Sequence, residues 1–180
     1  MNTFHKKTSW LTAAAVGASL AISGCSTVVA GQATESLGPA IPPGHIPTAA
    51  DLCRLMTPAD FPTQGQLAPN SPKLEEKYAP SCFYHVQVGG VGVTFSGSLG
   101  FTPEVKILPA HLKTRREDTV SGRRVAIGQG EIRSGPEDCG ILFESPIGLW
   151  SILVSDDSAP NRDGCASVRH VAERVIPRVP

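Results

Sequence analysis

Five cysteines, five histidines and several adjacent carboxylate pairs are the residues of this 180-residue chain that could do more than fold it. Cys25 stands apart from the rest. It follows an apolar run over residues 11–22, itself preceded by Lys6 and Lys7 with no acidic residue, and small residues rather than a charged stop come after it. That layout reads as a secretory signal over residues 1–24, since a retained spanning helix needs roughly 20 apolar residues. Ile22-Ser23-Gly24-Cys25 has the form of a bacterial lipobox, in which the last thiol takes the lipid. Cys25 is therefore expected to be the lipidated new N-terminus, the membrane being the partner it engages. At roughly 0.8 kcal/mol per buried methylene, two or three acyl chains would hold the chain on the outer face of the cell membrane essentially permanently. Without Cys25, an even set remains: Cys53, Cys82, Cys139 and Cys165, which in an exported chain reads as two disulfides.

The remaining candidates form no catalytic constellation by spacing. His5 leaves with the signal, His45 precedes the folded domain, and His85, His111 and His170 occur singly, with no H-E-x-x-H or other metal spacing. No G-x-S-x-G nucleophile elbow is present. Residues 128–135, GQGEIRSG, lack the Lys-Ser/Thr of a phosphate loop and read as a turn. Glu75-Glu76, Glu117-Asp118 and Asp156-Asp157 are neighbours in sequence, which seldom converge on one substrate atom as an acid and its base must. Arg115, Arg116, Arg123 and Arg124 offer a local basic patch for an anionic lipid or glycan, against the plainer reading of a charged surface. Trp150 and Phe143 are expected in the core. No catalytic residue, metal ligand or cofactor site is assigned.

Composition narrows the classes further. The whole chain balances 16 basic against 16 acidic residues; losing Lys6 and Lys7 leaves 14 against 16. That balance gives no electrostatic footprint for nucleic acid. Residues 25–47 follow the lipid as a Pro-rich stretch with no apolar period, expected to act as a tether. Residues 48–180 then suffice for one domain.

The elements that would position these residues follow from pattern. Thr48 caps a helix from Ala49 that places Leu52, Leu55 and Met56 on one face, and Thr57-Pro58 opens a second short turn through Phe61. Residues 62–81 read as loop, except around Lys73 to Tyr78. Cys82–Val88 and Val91–Gly97 alternate apolar and polar residues about Gly89-Gly90, which predicts a two-residue hairpin. Residues 105–108 read as a strand and 109–118 as a polar helix. RRVAIG, CGILFES and LWSILVS complete an antiparallel sheet of about five strands. Val168, Val171, Ala172, Val175 and Ile176 have helical spacing, ended by Pro177. The expected fold class is α+β, with N- and C-terminal helices packed on one face of the sheet. Four cysteines allow three pairings. Cys53 with Cys82 and Cys139 with Cys165 is preferred because each ties a terminal helix to a strand, and the other two pairings stay open. A zinc site is the lesser reading, there being no C-x-x-C pair.

The lipobox, the Pro-rich stretch, DLCRLMTPADF, CFY, EDCGILF, GLWSILV and the closing CASVRHVAERVIPRV together resemble the actinobacterial, often mycobacterial, cell-envelope lipoproteins grouped as a domain of unknown function. Where the family pattern has Trp two places after the second cysteine, this chain has Tyr84. The resemblance implies an envelope location and a two-disulfide α+β fold, and it carries over no catalytic residue. The functional expectation is a non-catalytic binding module whose partner is an envelope protein or a small amphiphile held between helix and sheet. The alternative is an enzyme acting on envelope glycan or lipid, which would need a cleft with convergent carboxylates or a His–carboxylate pair.

Overall fold

The computed structural model describes residues 41–42, 44–89, 92–103, 116–129 and 135–180, all within one compact unit, Thr34–Pro180. Cys25, the signal and most of the tether lie outside the described residues.

The helix α1, Ala49–Leu55, begins as the sequence predicts. Thr48 Oγ1 accepts from the Asp51 backbone N–H, and the Asp51 carboxylate accepts in return from the Thr48 N–H, a closed capping box. Thr57 and Asp60 repeat the device on the 3-10 turn Pro58–Asp60. Eight strands follow among the described residues: β1 Gln66–Leu67, β2 Lys73–Glu75, β3 Ser81–Gln87, β4 Thr94–Thr102, β5 Arg116–Val120, β6 Arg123–Gly128, β7 Asp138–Ser145 and β8 Gly148–Asp156. The helix α2, Gly164–Val175, closes the chain, with Asp163 capping Ala166.

All the pairings are antiparallel, in the order β1-β3-β4-β8-β7-β6-β5, with β2 also on β3. The expected count of five strands is too low, and each of the three additions has a cause. β1 and β2 are short edge strands in the stretch read mainly as loop, and they exist because β3 offers them an open edge. Residues 116–118, expected to end a polar helix, instead begin β5. Ser121 (φ 49°) and Gly122 (φ 80°) supply the positive φ pair that folds β5 onto β6, and Val120 is buried there. The β3–β4 hairpin is also longer at its tip than expected. Val88 N–H donates to Val93 O, so the strands part beyond Val88 and Val93 rather than at Val88 and Val91. Residues 105–108, read as a strand, lie outside the described residues.

Both helices pack on one face of the sheet, α1 against β3 and β4 and α2 against β7 and β8. Strand alternation delivers Cys82, Tyr84 and Val86 of β3, Phe95, Leu99 and Phe101 of β4, and Trp150, Ile152 and Val154 of β8 to this layer. Leu52, Met56, Val168, Val171 and Val175 meet them from the helices. At roughly 1.5–3 kcal/mol for each fully buried large side chain, this layer dominates the stabilisation. Ile41, in the stretch read as tether, is buried in the same core. Gly164 is required at the start of α2, because a Cβ there would sit 2.0 Å from the Glu137 carbonyl oxygen.

Candidate functional site

Disulfides join Cys53 to Cys82 and Cys139 to Cys165, with Cα–Cα separations of 5.3 and 4.9 Å. The first links α1 to β3 and the second β7 to α2, so each terminal helix is stapled to the sheet it covers.

The buried carboxylates serve the same end. Asp60, with 3% of its side chain exposed, accepts from both Arg178 guanidinium nitrogens at 2.7 and 2.8 Å and from the Thr57 N–H at 2.8 Å. Arg178 Nη1 also donates to Leu55 O at 3.0 Å, tying the end of α1 to the C-terminal segment. Asp156 is 1% exposed and accepts from the hydroxyls of Ser158 (2.5 Å) and Ser167 (2.6 Å), which joins the end of β8 to α2. At α1, the Thr48 backbone N–H, helped by the Thr48 hydroxyl, Arg54 and His45, holds the Asp51 carboxyl well below the usual carboxylate range against the opposing effect of burial. Asp118 is likewise lowered, by the Thr119 N–H and then by its ion pair with Arg169 of α2.

The adjacent carboxylate pairs diverge. Glu75 accepts from the Lys77 N–H while Glu76 accepts from the Ala49 N–H at the start of α1. Glu117 pairs with Arg124 across the β5–β6 ladder on the face opposite Asp118. Asp157 takes the Thr94 hydroxyl at 2.9 Å while Asp156 stays buried. The histidines are equally dispersed. His45 Nε2 lies 3.4 Å from Asp51, and His170 sits on α2, where burial and then Arg174 depress its pKa. His85 projects away from the core. His111 and residues 130–134 of the glycine-bearing loop lie outside the described residues. Among the described residues no group of three or more His, Cys, Asp or Glu is arranged to hold a metal ion.

The space between helices and sheet, where a ligand was expected, is filled by Trp150, Phe95, Phe101 and Phe143, all 1% exposed or less. Concavity is found instead on β5–β7, an open groove of about 430 Å³ floored by Ala126 and Leu142. Glu117, Arg124 and Glu144 form its rim, with Arg124 Nη2 2.9 Å from Glu117 Oε2. Neighbouring Arg123 is turned to the other side, donating to the Val179 and Pro180 carbonyl oxygens at 2.6 and 3.1 Å. The basic patch suggested by sequence is thus divided between the two faces of β6, and Arg115 lies outside the described residues.

Beyond the groove, the helix-free face changes character. Two rows of outward residues run across β3, β4 and β8: Phe83–Ser98–Leu153 and His85–Ser96–Ser155. Phe83 is 41% and Leu153 45% exposed, astride Ser98 at 7%. His85 Nδ1 lies 2.8 Å from Ser96 Oγ, which fixes the imidazole on the strand. Sequence reasoning placed His85 opposite Tyr84 but could not see this face, because β8, which carries Leu153 and Ser155, is distant in sequence from the β3–β4 hairpin.

Fold and site define a disulfide-braced α+β domain, one antiparallel sheet covered by helices on a single face. The chain belongs to the DUF3558 family, proteins of unknown function, whose profile matches residues 20–178. Neither the curated proteins nor the solved structures provide a match.

Proposed function

We propose that the protein is an extracytoplasmic lipoprotein of actinobacterial type, with residues 1–24 its signal, Cys25 its lipid anchor on the outer face of the cell membrane, residues 25–47 its tether and 48–180 a binding module of the envelope. One observation carries this reading. Of the five cysteines, Cys53, Cys82, Cys139 and Cys165 are consumed by each other, leaving Cys25 without a disulfide partner in its own chain. Disulfides of this kind persist in oxidising compartments beyond the cytoplasm, where a thiol after Ile22-Ser23-Gly24 meets lipidating enzymes. A binding role is favoured over catalysis because Asp51, Asp60 and Asp156 are committed to caps, ion pairs and hydroxyl contacts that hold the helices. Among the described residues, the surface left for a partner is the helix-free face of the sheet.

The anchor is tested by expressing Cys25→Ala beside the wild type with a radiolabelled fatty acid. Label and membrane association should be present in the wild type and absent in the variant. Label incorporated equally by both chains would refute the reading.

A further inference from the structure

The outward face of β3, β4 and β8 has an unusual chemistry for this chain. Charged residues make up 18% of the sequence, yet no outward position of these three strands is Asp, Glu, Lys or Arg. The face carries hydroxyls, with Ser96, Ser98 and Ser155 at its centre, together with the exposed ring of Phe83, Leu153 and a histidine held by its neighbour. His85 Nε2 has no partner among the described residues, while Nδ1 is occupied by Ser96, so the free nitrogen is held outward.

Two magnitudes decide what kind of occupant fits. Strands of seven to nine residues and three strands' width give a patch of roughly 14 by 27 Å, about 400 Å². One side of a standard protein interface buries about 800 Å², so the patch is about half the size a stable second copy needs. Lys73 of β2 stands opposite Phe83 and Asp138 of β7 opposite Ser155, so the charges at the two edges offset each other and leave no net attraction that would recruit a polyanion or an anionic lipid surface. A neutral, hydroxyl-bearing ligand with an apolar ring face matches both limits.

We propose that this face binds a neutral saccharide. A pyranose ring lies against Phe83, with Leu153 beside it. His85 Nε2 and the hydroxyls of Ser96 and Ser155 exchange hydrogen bonds with sugar hydroxyls. The inference deepens the binding-module reading and rests on it, but the two fail separately: the anchor is read from lipid on Cys25, this one from sugar titration.

The test is calorimetric titration of the full chain, solubilised in a detergent without a sugar headgroup. Its probes are neutral hexasaccharides of glucose, mannose and galactose, with a hexauronate as the anionic control. Saturable binding of at least one neutral hexasaccharide is expected, unchanged between low and high salt. Phe83→Ala should weaken it at least tenfold in a domain that still unfolds cooperatively on heating, since the ring is 41% exposed. His85→Ala should weaken it severalfold. The proposal is overturned by no heat with any neutral probe at millimolar concentration, by binding that survives Phe83→Ala, or by preference for the hexauronate lost in salt. Concentration-dependent dimerisation abolished by Phe83→Ala would overturn it too, assigning the face to a second copy of the chain.

Discussion

Replacing Arg178 by methionine should reveal how much of the domain's stability rests on a single contact between its two ends. The substitution removes two charge-assisted hydrogen bonds to Asp60, at 2.7 and 2.8 Å, and one to Leu55 O at 3.0 Å. Asp60 keeps only the Thr57 N–H and hydroxyl, at 2.8 and 3.2 Å, and its side chain is 3% exposed, so the charge is left buried and half satisfied. Stranding one member of a buried pair costs about 3–5 kcal/mol. Arg178 retains 23% exposure, so water already screens one side of the pair and the lower end applies, about 3 kcal/mol. For a domain of this size that corresponds to a fall in Tm of roughly 10 °C. The assay is a double-mutant cycle of Arg178→Met and Asp60→Asn, followed by thermal unfolding. Removing the stranded charge should restore part of the loss, so that the double variant is about 1–2 kcal/mol more stable than the sum of the single changes implies. A Tm within about 3 °C of wild type for Arg178→Met, or strictly additive singles, would show that the pair behaves like an exposed one and that the reasoning from burial fails.

Other expectations follow from the same contacts. Changing Cys53 and Cys82 together to serine should cost about 3–4 kcal/mol in denaturant unfolding, from the loop entropy of a 29-residue separation, whereas the unreduced wild-type domain should titrate no free thiol at these positions. Because folding lowers the Asp51 pKa, its stabilisation is complete above the unfolded value of about 4 and is lost as pH falls below it. The stability difference between wild type and Asp51→Asn, measured by urea unfolding across pH 2–7, should therefore be largest near neutrality and shrink on the acid side; a pH-independent difference would contradict the assignment.

Much of this protein was determined by local sequence. The capping residues Thr48 and Asp51 lie three positions apart and form their bonds within one turn, so the start of α1 is visible in the chain itself. Alternation in CFYHVQV and the helical period of Val168, Val171 and Val175 likewise report which side must leave water. Tertiary structure decided the rest, because the information is shared between distant segments. REDTV is a charged stretch that becomes β5 only when β6 offers a ladder, α2 supplies Arg169 for Asp118 and Val120 finds a buried place. β1 and β2 exist only beside β3. The Asp60–Arg178 pair spans 118 residues, and the row Phe83–Ser98–Leu153 depends on β8 lying beside β4 although β5, β6 and β7 come between them in sequence. Neither leaves a local signature, since hydrogen-bond partners and exposed neighbours across a sheet are set by the register of strands rather than by any spacing within one of them.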